Sequence, residues 1–157
     1  MNIEIERKFL VATKDFMKFV IHGIKIKQAY LVSDKKRTVR IRIADDKATI
    51  TIKGESQHQG LSRMEWEKEI EMDEALQLLE ICQDFPVEKT RYIVPSGENL
   101  KFEVDVFDGM NRGLVLAEIE LPDEDTKFEK PQWLGKEVTG DVRYYNSFLS
   151  KKPFCEW

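Results

Sequence analysis

Residues 39–53 read VRIRIADDKATITIK. Val39, Ile41 and Ile43 alternate with Arg40 and Arg42. Asp45-Asp46-Lys47 then supplies a turn, and Ala48, Ile50 and Ile52 alternate with Thr49, Thr51 and Lys53. Successive side chains of an extended strand point to opposite faces, so each run has one apolar and one polar face. Two such runs across a short polar turn form an antiparallel hairpin. The polar face of this hairpin carries Arg40, Arg42 and Lys53. Like charges side by side on one sheet face repel. An acidic wall or a bound anion must offset them.

The same alternation recurs along the chain. Eight segments read as strands, at about 2–11, 24–33, 36–44, 47–53, 62–72, 87–94, 99–107 and 113–121. Turn residues separate most of them, at 33–35, 45–47, 54–60, 95–99 and 108–111. Three stretches read as helices. One covers 14–21, with Thr13 as its cap; a second covers 73–84, with Asp73 and Glu74 in its first turn; a third covers 141–151. No internal repeat, low-complexity tract or linker divides the sequence, so residues 1–157 are expected to form a single domain.

Reading one face of each strand gives an ionic set. The first strand presents Glu4, Glu6 and Lys8. The fifth presents Arg63, Glu65, Glu67 and Glu69, and the sixth Lys89 and Arg91. The seventh presents Glu103 and Asp105, and the eighth Glu118 and Glu120. On the second strand Gln28 and Tyr30 share a face. One such strand is an ordinary wetted sheet. A whole set with charges segregated by strand fits a closed eight-stranded antiparallel β-barrel, whose ionic face lines the lumen and whose apolar face lies outward under helices. The fold class is therefore α+β. A lipocalin would need an apolar lumen. An outer-membrane barrel would need an uninterrupted lipid face, which Arg7 and Lys68 break.

Composition narrows the function. The chain has 157 residues, 41% hydrophobic and 34% charged, with 25 basic residues against 29 acidic for a net charge of −4. That balance argues against general nucleic-acid binding. No apolar run is long enough to span a membrane, and charge from residue 4 onward is unlike a secretory signal. Neither nucleic acid nor membrane is an expected partner, and a cytoplasmic location is expected. Cys82 and Cys155 form no metal-binding or disulfide pattern. Monomer and homodimer both remain open.

The basic residues suit a ligand with several phosphates. The pairs Glu4/Glu6 and Glu118/Glu120 each put two carboxylates on one face. If strands one and eight are neighbours, four carboxylates converge into a plausible site for Mg²⁺ or Mn²⁺. A GxxxxGK[ST] pattern is absent, which argues against a Walker-type nucleotidase.

The combination EIERK at 4–8, QAYL at 28–31, VRIR at 39–42, TIK at 51–53, SRMEWE at 62–67, EKTRY at 88–92, FEVDVF at 102–107, AEIE at 117–120 and DVRYYN at 141–146 resembles the CYTH family, or triphosphate tunnel metalloenzymes. The closest likeness is to short bacterial members that hydrolyse inorganic triphosphate. The resemblance implies an eight-stranded tunnel with a C-terminal helix at one mouth. It implies that Glu4, Glu6, Glu118 and Glu120 hold Mg²⁺ or Mn²⁺, with Glu65 and Glu67 either holding a second metal or orienting basic side chains. It implies that Arg40, Arg42, Lys53, Lys89 and Arg91 grip the triphosphate, with Arg63 in support. Lys8 and Tyr30 match a pair that assists phosphate departure, after attack by a metal-activated water. Arg143 falls in the matched C-terminal helix and is a further candidate for substrate contact. Tyr145, where short relatives often have Lys, is expected to touch only the helix surface. Glu103 and Asp105 are expected to pair with lumen arginines. Alternative functions are a class IV adenylate cyclase, a thiamine or nucleoside triphosphatase, and a non-catalytic polyphosphate-binding module.

Overall fold

The computed structural model describes residues 2–157. Its strands are β1 Asn2–Val11, β2 His22–Ser33, β3 Thr38–Ala44, β4 Lys47–Lys53, β5 Ser62–Ile70, β6 Gln83–Ser96, β7 Leu100–Phe107, β8 Val115–Glu120 and β9 Leu134–Glu137. The two α-helices are α1 Met72–Ile81 and α2 Asn146–Lys151. The alternating segments of the sequence thus form β1 to β8. β9 was not expected: its four residues are too few to show a period.

The five short turns make five antiparallel hairpins, β2–β3, β3–β4, β4–β5, β6–β7 and β7–β8. The two longer connections are crossovers. β2 pairs with β6 instead of β1, and the strand order runs β5-β4-β3-β2-β6-β7-β8-β1. β1 closes the barrel by using both edges. Glu6–Leu10 pair with β8, while Asn2–Ile5 pair with β5. Beyond that point β9 takes over the second edge, with Phe9 opposite Glu137 and Val11 opposite Leu134. The result is a closed eight-stranded antiparallel barrel with a short ninth strand on its seam. Arg7 points outward and secures β9 through Glu137, Nη2 to Oε1 at 2.6 Å. Gly135 is required there, because a Cβ would stand 2.9 Å from the Leu10 carbonyl oxygen.

The helices are shorter than the periodicity predicts. The first forms only a 3-10 turn, Lys14–Phe19, with the Thr13 hydroxyl accepting from the Asp15 amide. The second ends at Ile81 because Cys82 returns to extended geometry and β6 begins. The third splits into a 3-10 turn, Val142–Tyr144, and α2, with Tyr145 extended between them. No helix among the described residues is long and apolar enough to cross a membrane.

Two apolar clusters lie outside the barrel. Phe9, Phe16, Phe102, Ile119 and Trp133 form the larger one, and Phe102 meets Trp133 edge-on at 5.1 Å. Ile41, Ala48 and Ala75 pack β3 and β4 under α1. Trp66 is 39% exposed, because α1 covers β2, β3 and β4 and stops short of β5. The third cluster corrects the expectation of a wholly ionic lumen. Val87, Phe107, Leu116 and Leu149 pack together at one end. Leu116 pairs with Asp105 and with Leu10, two residues beyond Lys8, so the cluster shares the lumen face. Leu149 of α2 makes this end a dry floor.

Replacing Phe102 with Ala removes the centre of the largest cluster. A loss of about 3–5 kcal/mol is expected, read as a fall in the urea midpoint at unchanged slope. A loss under about 1 kcal/mol would show that the outer cluster is not what stabilises the barrel.

Candidate active site

Above the floor lies a cavity of about 250 Å³. Its lining includes Lys8, Arg40, Arg42, Lys53, Arg63, Lys89 and Arg91, together with Glu4, Glu6, Glu65, Glu67, Glu103, Glu118 and Glu120. Tyr30 also lines it. Fourteen charged side chains thus share one small space, with seven basic residues facing seven acidic. Strand register explains the convergence. Tyr30, Arg40, Thr51 and Glu67 form one row across β2–β5, and Thr38, Lys53 and Glu65 form the next. Glu4 stands opposite Arg63 across the seam, Glu6 opposite Glu120, and Lys8 opposite Glu118.

The charges are paired across these rows. Lys53 Nζ lies 2.6 Å from Glu4 and 3.3 Å from Glu65. The Thr51 hydroxyl donates to Glu67 at 2.6 Å and accepts from Arg40 Nη2 at 3.0 Å. Arg91 grips Asp105 through Nε at 2.7 Å and Nη2 at 2.9 Å, and reaches Glu103 at 2.9 Å. Lys89 Nζ donates to Asp105 at 2.6 Å. Glu103 and Asp105 therefore pair with lumen cations, as expected, while Glu65 and Glu67 contact Lys53, Thr51 and Arg40. Gln28 is fully buried between two site residues. Its Oε1 accepts from Arg42 Nε at 2.8 Å, and its Nε2 donates to the Tyr30 hydroxyl at 3.4 Å. Sequence reading placed Gln28 beside Tyr30 but gave it no part in the site.

Burial and crowding set the protonation states. Burial lowers the proton affinity of Lys89 to about 7, since the Arg91 and Arg42 charges add to it and Asp105 is shared with Arg91. Arg42 is pushed down to about 9 by burial and by Arg40 and Arg91. Glu6 is held well above the usual carboxylate range by burial, then by the Glu118 and Glu4 charges. Burial would raise Glu118 too, but Lys8, Arg91 and Lys89 outweigh it and hold it well below that range. Crowding thus pushes the two carboxyls apart, Glu6 toward holding its proton and Glu118 toward losing it. Glu120 is raised by burial and by Glu4, Glu65 and Glu103. Lys8 is raised despite burial, because Glu118 and Glu6 favour its charge. The Nε of Arg40 is the sole buried side-chain polar atom without a partner among the described residues.

Two expectations about the C-terminal segment reverse. Arg143 lies outside the cavity. Its guanidinium is 58% exposed, salt-bridged to Asp141 at 2.8 Å, and stacked over Tyr144 and Trp157. Tyr145 lines the cavity, with Lys8 Nζ and Arg63 Cζ each 5.4 Å from its ring. The break between the 3-10 turn and α2 causes the exchange, because an unbroken helix from 141 would present a different face. Asn146 and Ser147 enter the lining for the same reason, while Thr139 enters from the segment after β9, its hydroxyl accepting from the Lys8 amide at 2.9 Å; their polarity alone gave no signal. Lys8 and Tyr30 share the cavity but no hydrogen bond. Lys8 instead contacts Glu118 at 3.4 Å and the Tyr144 carbonyl at 3.1 Å.

A family model for the CYTH domain matches residues 2–145. An inorganic triphosphatase of Acetivibrio thermocellus is 48% identical over 155 residues, covering 98% of this chain and 97% of the relative. An inorganic triphosphatase of Nitrosomonas europaea is 39% identical over 150 residues, covering 94% and 96%. The crystal structure of an inorganic triphosphatase superposes with a TM-score of 0.66 at 36% identity, covering 96% of this chain and 95% of that one. With the family pattern running almost from end to end and a relative nearly half identical along the same length, the chain belongs to the CYTH domain family.

Proposed function

We propose that this protein is a metal-dependent triphosphatase that hydrolyses inorganic triphosphate to pyrophosphate and orthophosphate inside its lumen. The observation that carries the reading is the convergence of Arg40, Arg42, Lys53, Lys89 and Arg91 on one cavity, with Arg40 Nε buried and lacking an acceptor among the described residues. A buried N–H without a partner costs free energy. Planar guanidinium forks match phosphate oxygens. The names of the two relatives favour hydrolysis over the cyclase, the thiamine and nucleoside triphosphatases and the binding module.

The charge balance calls for further cations. Seven basic and seven acidic residues nearly cancel, so a ligand with several negative charges needs more positive charge than the chain supplies. The carboxylate set fits a hard divalent ion such as Mg²⁺ or Mn²⁺: it offers oxygen donors only, and burial together with the neighbouring carboxylates raises the proton affinity of Glu6 and Glu120. Among the described residues no three acidic, His or Cys side chains already form a cage. We assign the metal to Glu4, Glu6, Glu118 and Glu120. Glu65 and Glu67 act mainly by orienting Lys53 and Arg40. When bound, the metal draws charge from the phosphate oxygens and activates water.

The residues of the chain supply position and charge. In hydrolysis one P–O bond forms from water and one bridging P–O bond breaks, through a loose transition state that needs positioning and charge stabilisation above all. Arg40, Arg42, Lys53, Lys89 and Arg91 hold the phosphate chain, and Arg63 supports it. Lys8, kept charged by Glu118 and Glu6, offsets charge on the departing oxygen. Gln28 donates to the Tyr30 oxygen, which leaves the phenolic proton free to be given to the cavity. We place the reaction in the cytoplasm, carried out by residues 1–157 as one tunnel domain. Arg143, tied to Asp141, takes no part in it.

Inorganic triphosphate, ATP and thiamine triphosphate should be compared with Mg²⁺ and with Mn²⁺. Equal amounts of orthophosphate and pyrophosphate from inorganic triphosphate are expected, and cyclic AMP as the main product from ATP would overturn the reading. Glu4→Gln should cut turnover by at least about 100-fold by weakening metal binding, and unchanged turnover would remove Glu4 from the site. Arg40→Gln should lower kcat/KM for triphosphate by about 10–100-fold, the worth of one charge-assisted hydrogen bond. A change below about threefold would mean that Arg40 does not meet the phosphate.

A further inference from the structure

Three consecutive residues outside the barrel strands touch three lumen cations. The Tyr144 carbonyl accepts from Lys8 Nζ at 3.1 Å. The Tyr145 ring lies 5.4 Å from Lys8 Nζ and from Arg63 Cζ. Asn146 Oδ1 accepts from Lys89 Nζ at 3.0 Å. A carbonyl, an aromatic face and an amide oxygen are all groups that attract cations.

Lys89 depends most on its contact. Its side chain is wholly buried, at 0% exposure. Asp105 of β7 is its one carboxylate partner, and Arg91 of β6 holds both oxygens of that carboxylate. Arg91 and Arg42 of β3 oppose its charge, while Glu118 of β8 favours it from further off. β2 sets uncharged Ile26 opposite it, and the Phe107 ring of β7 lies 5.4 Å away. Among the described residues Asn146 is the only other hydrogen-bond acceptor of the Lys89 ammonium.

We propose that Asn146 is a positioning residue for the triphosphatase reaction, whose amide oxygen fixes the Lys89 ammonium on the wall of the phosphate site. The C-terminal segment thereby completes the site instead of merely covering the barrel end. This rests on the triphosphatase reading of the cavity. Asn146 is the first residue of α2, where Leu and Asp are both compatible with a helix and Asp is favoured. The two substitutions act in opposite directions on Lys89. Asn146→Leu removes an acceptor that favours the charged amine. Asn146→Asp adds a negative charge beside it.

The test follows the Lys89 titration directly, by the NMR shift of its labelled side chain in the full-length, metal-free protein. Wild type should titrate near 7. The midpoint should fall by about one pH unit in Asn146→Leu and rise by about one in Asn146→Asp, the size of a hydrogen bond to a charged group. Because Lys89 must be charged to hold phosphate, the alkaline limb of kcat/KM for triphosphate should move the same way, with KM changing more than kcat. Midpoints that do not move, or that move together in one direction, would overturn the positioning role. Midpoints displaced as expected in a protein that turns over no triphosphate would overturn the functional reading and leave the Asn146–Lys89 link standing.

Discussion

The structure depends on charge matching across the lumen of a closed barrel. Alternation places every second residue of eight strands inside the barrel, and those residues are Arg, Lys, Glu and Asp far more often than Thr or Gln. A buried charge is costly unless it is paired and hydrogen-bonded. Register answers that requirement. It sets Lys53 beside Glu65, Lys8 beside Glu118 and Arg91 beside Asp105. A one-residue slip of any strand would turn its ionic row onto the outer apolar shell and its apolar row into the lumen. The pairing of the site therefore specifies the barrel as firmly as its cores do.

The ion pairs are weak grounds for stability, since burying two charges offsets most of what their attraction returns. Stability comes from the outer clusters around Phe102 and Ile41 and from the dry floor around Leu116. The lumen is the exception that function imposes on this architecture. Glu6 and Glu118 show what is retained there: two acids close together, their proton affinities driven in opposite directions, with Lys8 favouring the charge on Glu118. Arg40 Nε has no partner among the described residues. A chain selected for stability alone would have filled such positions with aliphatic side chains.

Much of this was legible in the sequence because period two is a strong and repeated signal. The strand faces identified every charged barrel residue that lines the cavity. Short polar turns identified all five hairpins. The crossovers were not legible, because a helix between two strands does not say which strand edge the chain returns to. β9 was hidden by its length, and its role depends on Gly135 approaching a backbone that only the fold brings near. The C-terminal segment misled for a different reason. Periodicity favoured a continuous helix, and a single extended residue, Tyr145, exchanged the faces. Arg143 moved out to Asp141 while Tyr145 and Asn146 moved in. Charge drew attention to the residue that matters less, since an aromatic ring and a neutral amide carry no sequence signal for cation contact.

The apolar floor built from Val87, Phe107, Leu116 and Leu149 has a topological consequence. It turns a tube into a cul-de-sac. Whatever enters must turn back, and products must leave through the same doorway before another molecule can come in. A long polymer cannot be drawn through and clipped continuously; it can present only its tip. The enzyme is thereby confined to single, separate visits through one opening.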